Sequence, residues 1–198
     1  MTGFPIQEPM KTIPILSTIL LSLLLSTPSK ALTMQGVEVA PQAVVSGKTL
    51  PLNGAGLRTV TLAFIPIKAY VASFYAPTPL RSYEAVLASQ GPLQFNFTFL
   101  QGVSQKQVTD AWTAQFKESA TATYPDLAKD QAAFIGFFGP LKKGGVETVE
   151  IVGNETRAYD NGTLRGTIQG ENFQKAFLSL WFGSSPVQAS LKSDLLGK

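Results

Sequence analysis

Neither cysteine nor histidine occurs in the 198 residues of this chain. The missing cysteine excludes disulfides, thiolate nucleophiles, iron–sulfur clusters and thiolate zinc sites. The missing histidine excludes the Ser-His-Asp and Cys-His devices and removes the commonest transition-metal ligand. Acid–base chemistry is left to carboxylates, lysine, tyrosine or a polarised water. Charge is also sparse, at 15% of residues, with 16 basic against 13 acidic. The basic residues are scattered, and Lys142-Lys143 is the only adjacent pair. A nucleic-acid binder shows a stripe or patch instead, so no nucleic acid is expected as a partner. Nothing in the sequence asks for a cofactor or a metal.

What is abundant is apolar. The hydrophobic fraction is 44%, and there are 13 Phe. Residues 13–25 form an uncharged Leu- and Ile-rich run behind Lys11, followed by Ser29-Lys30-Ala31. This is the three-part pattern of an export signal, with cleavage predicted after Ala31. The run falls short of the roughly 20 residues a membrane span needs. The expectation is an exported, periplasmic or secreted protein with no membrane span once the leader, residues 1–31, is removed. Met10 offers a second start codon. Residues 32–198 contain no linker and no repeat, and read as one domain.

Leu93 to Phe99 is the cleanest strand. Leu93, Phe95, Phe97 and Phe99 share one face, and Gln94, Asn96 and Thr98 share the other. Val146 to Val152 is a further strand, and Thr156 to Ile168 folds back at Asn161-Gly162, a two-residue hairpin signal. Thr59 to Phe64 and Ile67 to Tyr75 are extended, with an interruption expected at Pro66. Helices are predicted from Ser104, where Gln107 completes a capping box, from Pro125, over the segment carrying Phe173, Phe177 and Trp181, and from Ser185-Pro186. The tally is six or seven strands and four or five helices. Strands come first, then a helix pair, then strands again. That order predicts an α+β fold with an antiparallel sheet covered on one side by helices.

Few residues offer chemistry. Gly54-Ala55-Gly56 lacks the third glycine of a dinucleotide loop, since Thr59 stands in its place, and is expected to form a turn leading into a strand. Glu147 and Glu150, three apart on a strand, face opposite ways and cannot act as a carboxylate pair. Arg58 stands in a stretch with no acidic residue between Glu38 and Glu84. On the surface it would pair with a distant acid. Pointing inward it would need an anion, such as a ligand carboxylate. Tyr70 is a second candidate donor, or simply packing.

Two segments carry a resemblance: Leu52 to Arg58, and Ala69-Tyr70-Val71-Ala72-Ser73-Phe74-Tyr75. With Val103 to Trp112, Lys142 to Gly145, Gly166 to Phe173, Trp181 to Pro186 and Leu191 to Gly197, they resemble the chalcone isomerase superfamily, in its bacterial, often exported branch. The resemblance implies an open-faced β-sandwich, a large antiparallel sheet with helices on one side. The superfamily includes isomerases that close chalcones to flavanones and relatives that hold a fatty-acid carboxylate between an arginine and a tyrosine. The shared arginine falls at Arg58. Twelve residues on, where the isomerase has threonine, stands Tyr70, as in the binding branch. The isomerase's helix-borne tyrosine and asparagine fall near Ser104 and Ala111, and its late threonine near Gln188, so all three identities are lost.

The resemblance therefore implies a non-catalytic binder of a fatty acid or similar amphipathic carboxylate. Arg58 and Tyr70 would take the head, and Phe95, Phe97, Phe99, Phe177 and Trp181 would line the tail. Two alternatives remain open. One is a chalcone or enone isomerase acting through Arg58 on a flavonoid-like ligand. The other is a domain with no ligand, serving a structure or a partner.

Overall fold

The computed structural model describes residue 3, residues 31–119 and residues 124–198. The leader expected over residues 1–31 falls almost wholly outside the described residues. Among those described, no helix is long and apolar enough to cross a membrane.

Leu32–Met34 (β1) and Val37–Val39 (β2) pair as a small hairpin apart from the main sheet. The main sheet has seven antiparallel strands in sequence order: Gln42–Val45 (β3), Lys48–Leu62 (β4), Ile65–Tyr75 (β5), Leu93–Phe99 (β6), Val146–Val152 (β7), Glu155–Asp160 (β8) and Thr163–Gln169 (β9). Each strand hydrogen-bonds its sequence neighbour, so the sheet is a meander. The helices are Tyr83–Leu87 (α1), Gln105–Ser119 (α2), Ala128–Ile135 (α3), Glu171–Phe182 (α4) and Ala189–Leu195 (α5), with a 3-10 turn at Pro125–Leu127. The α+β expectation holds. The described strands number nine, because residues 32–45 supply three short ones: β1 and β2 pair with each other, and β3 pairs with the start of β4.

Period-two alternation sets the layers. Phe95 and Phe97 of β6, with Phe74 of β5 and Val149 of β7, face the helices and are fully or almost fully buried. Above them lie Trp112, Phe116, Phe134, Phe173, Phe177 and Trp181 in one continuous core. Phe97 stacks on Trp181 at 4.8 Å and Phe74 on Phe95 at 4.6 Å between ring centroids. The other face keeps a small apolar cluster of Val45, Leu50 and Tyr75, and on β6 it carries the polar Gln94, Asn96 and Thr98.

The capping box forms as expected. The Gln107 side-chain oxygen accepts from the Ser104 backbone N–H at 2.9 Å, and the Ser104 hydroxyl accepts from the Gln107 N–H at 3.3 Å. Asn161 and Gly162 both take positive φ and close the β8–β9 hairpin.

Two expectations are corrected. Pro66 does not interrupt: it lies inside β5, where only β4 pairs with it and no second neighbour needs its missing N–H. The turn comes earlier, at Ala63 and Phe64, both with positive φ. Gly54 and Gly56 do not form a turn either. They lie mid-strand in β4, facing the helices, where α5 rests on the bare backbone. A Cβ on Gly54 would run into the Asp194 and Leu195 carbonyl oxygens, and one on Gly56 into the Asp194 carboxylate and Leu191. Glycine in a strand here marks the close approach of a second backbone. Asn53 locks the contact, donating from its side-chain amide to the carbonyls of Leu195 at 2.7 Å and Leu80 at 3.0 Å.

Candidate functional site

Beyond Gly56, α5 no longer covers the sheet, and the next helix-facing position on β4 is Arg58. Opposite it in register stands Tyr70 of β5, and opposite Tyr70 stands Phe99 of β6. The adjacent row is Ala72, Phe97 and Glu147 across β5, β6 and β7. Except for the fully buried Ala72, the residues of these two rows line a cleft of about 570 Å³, to which the β4–β5 hairpin and α2 also contribute. Ligand pockets run from about 300 to 1,000 Å³, so the cleft is of that class. Trp112 of α2 and Trp181 of α4 roof its inner part. Ala111 and Ala114 line it from α2, and their short side chains leave it room. Exposed Val60 and Leu62 stand on its rim.

Arg58 is half-buried. Its Nη1 donates to the Thr59 carbonyl at 3.0 Å and to the Gln188 side-chain oxygen at 3.3 Å. Its buried Nε has no partner among the described residues. Among the described residues, no carboxylate lies within ion-pair distance of it.

The β4–β5 ladder shifts register between Arg58 and Thr59, and bulges of this kind re-aim a side chain. Gln188 fixes the spot. Its Oε1 accepts from the Thr59 N–H at 2.9 Å and its Nε2 donates to the Leu57 carbonyl at 3.0 Å. The amide thus pairs with the open edge of β4 as a neighbouring strand would.

The Tyr70 hydroxyl is buried beside Arg58 and Gln115 but makes no hydrogen bond of ordinary geometry. Burial pushes the phenol well above its usual value, with Arg58 pulling it back. Tyr70 is therefore a neutral donor. Glu147 is 1% exposed. Burial pushes its carboxyl up to about 8, the Trp112 indole opposes the shift and Asp160 adds to it. At neutral pH it is mostly protonated.

Six buried side-chain polar atoms have no protein partner among the described residues, and five of them belong to residues lining this cleft. The five are Arg58 Nε, Tyr70 Oη, Gln115 Oε1, Glu147 Oε1 and Trp181 Nε1. Buried polar groups are normally satisfied, so their convergence marks a place built to meet something polar.

The structure brings Arg58, Tyr70, Phe97, Phe99 and Trp181 together around the cleft, as the sequence suggested. Phe95 and Phe177, expected on the same wall, lie in the core instead, packed against each other at 5.3 Å and both fully buried. Sequence reasoning missed Glu147, Trp112, Gln115 and the bracing role of Gln188. The signal for Glu147 was present, since it shares a strand face with Val149 and Ile151.

No curated protein matches the sequence. Among solved structures, a fatty-acid binding protein from Arabidopsis thaliana superposes with a TM-score of 0.69 at 13% identity, over 84% of this chain and 96% of that one. At that identity the likeness concerns the fold. The sequence profile described as chalcone isomerase-like matches residues 31–197, which takes in both the glycine-bedded helix and the arginine beside it. By that match, the chain belongs to the chalcone isomerase-like family.

Proposed function

We propose that the protein binds, without catalysis, a fatty acid or a similar small amphipathic carboxylate in the cleft beside Arg58. One observation carries this reading: a half-buried guanidinium without an ion-pair partner stands next to an unpartnered tyrosine hydroxyl in an aromatic recess. A carboxylate supplies what both lack. It accepts from Arg58 with charge assistance and from Tyr70 as a second donor. The tail then lies over Phe97 and Phe99, each buried methylene contributing about 0.8 kcal/mol. The structural likeness to a fatty-acid binding protein supports the same class of ligand.

The three positions where the isomerases of the superfamily carry further donors favour binding over isomerisation here. Ser104 is engaged in its capping box, Ala111 offers no donor, and Gln188 is occupied by the β4 edge. An oriented donor at such a site contributes roughly 3–4 kcal/mol to a transition state, and these three positions supply none. The leader assigns the domain to the periplasm or the medium, with release after Ala31, which the mass of the exported protein would check.

Native purification followed by mass spectrometry of the extract tests the binding reading. Wild type is expected to yield a carboxylic acid. Arg58→Ala is expected to retain about a tenth or less, given the 1.5–3 kcal/mol of a charged hydrogen bond. Equal recovery from both overturns the proposed grip. Clear turnover of a chalcone, abolished in Arg58→Leu, overturns the non-catalytic reading.

A further inference from the structure

An unadorned alkyl tail does not suit the whole cleft. Anchored at Arg58, it would cross the Phe99 and Phe97 rings and reach Glu147. Glu147 stands two strands from Tyr70 and one row further along, which at about 4.8 Å per strand is roughly 10 Å sideways. There Glu147 Oε1 and Trp181 Nε1 are both buried and have no protein partner among the described residues. The two residues flank one ring, since Trp181 stacks on Phe97 at 4.8 Å and Glu147 pairs with Phe97 in register. An indole N–H can only donate. A carboxyl in its acid form donates too, and burial keeps Glu147 mostly in that form at neutral pH. Methylenes laid over these groups would leave both donors unsatisfied, the costly arrangement for buried polar atoms.

We infer that the cleft selects a carboxylic acid carrying a second oxygen function in mid-chain, a hydroxyl or ketone, which accepts from Glu147 and Trp181 while Arg58 and Tyr70 hold the head. The inference rests on the binding reading above and adds to it the substrate class. Selectivity of this kind is strong where a site is built to hydrogen-bond, because the analogue lacking the oxygen leaves buried groups unpaired.

Isothermal titration of the purified full chain tests it, with stearate against hydroxystearates and oxostearates whose oxygen is moved along mid-chain. On wild type, the best-placed oxygenated acid is expected to bind about tenfold or more tighter than stearate. Glu147→Leu is expected to erase that preference, stearate and the oxygenated acids then binding within about twofold of one another. Trp181→Phe, which keeps a large ring and removes only the indole N–H, is expected to shrink the preference and serves if the leucine variant does not fold. Stearate binding that depends on Arg58, with no preference for oxygen at any position, overturns this inference and leaves the binding reading standing. A preference that survives both substitutions overturns it as well. If wild type binds none of the acids, both fall together.

Discussion

β7 carries two glutamates three residues apart, and the sheet sends them to opposite sides. Glu147 enters the helix-covered side among Phe97, Trp112 and Trp181. Glu150 stays on the open side, where the Tyr159 hydroxyl donates to it at 2.9 Å. The same chemical group thus becomes a neutral acid on one face and an ordinary surface partner on the other. The faces differ in the same way elsewhere. Phe97 is held by rings, while its neighbour Asn96 accepts from Gln94 at 3.0 Å and from Thr148 at 2.9 Å. The covered face supplies the stability of the domain and also contains its least satisfied polar groups. Such a combination is expected where a core has been opened for a ligand.

The largest test of this contrast is pH. Burial holds the Glu147 carboxyl up at about 8 in the folded protein, against the ordinary 4.5 in the unfolded chain. The unfolded state therefore releases its proton first as pH rises. The stability present below about pH 4.5 is lost progressively up to about pH 8 and is level above it. At about 1.4 kcal/mol per pH unit the loss approaches 5 kcal/mol as an upper limit. Urea midpoints across that range should fall steeply for wild type and for Glu150→Gln, and much less for Glu147→Gln. Equal slopes for wild type and Glu147→Gln would show that Glu147 does not stay protonated.

Phe97→Ala should cost about 3–5 kcal/mol in urea denaturation, because a ring 1% exposed and stacked on Trp181 leaves a cavity. Asn96→Ala, one residue away on the open face, should cost only about 1 kcal/mol for its hydrogen bonds. A cost for Asn96→Ala as large as for Phe97→Ala would remove the distinction between the faces. Smallest of all, Glu150→Gln should shift stability by no more than about 0.5 kcal/mol, as expected for a partly exposed side chain with one hydrogen bond.

Local rules read much of this fold from the sequence. The alternation of Leu93 to Phe99 predicted β6 and its aromatic face, Asn161-Gly162 predicted a hairpin, and Ser104 with Gln107 predicted a helix start. Each of these signals lies within a few residues. The turn at Ala63 and Phe64 was hidden, because neither residue favours positive φ and its position follows from the pairing of β4 with β5. Gly54 and Gly56 are not legible locally for a related reason: what they accommodate, α5, lies about 140 residues further along the chain.

The candidate site divides along the same line. The amino-acid sequence alone determined the absence of cysteine and histidine chemistry, the strand periodicity and the acid-free stretch around Arg58. It also showed that Glu147 and Glu150 face apart, since strand alternation is a property of the backbone. Which of the two entered the core was decided by tertiary structure, as were the bracing of Arg58 by Gln188 and the convergence of five unpartnered polar atoms on one cleft. Burial and partnership depend on what packs above the sheet, and α2, α4 and α5 reach it only when the whole chain has folded.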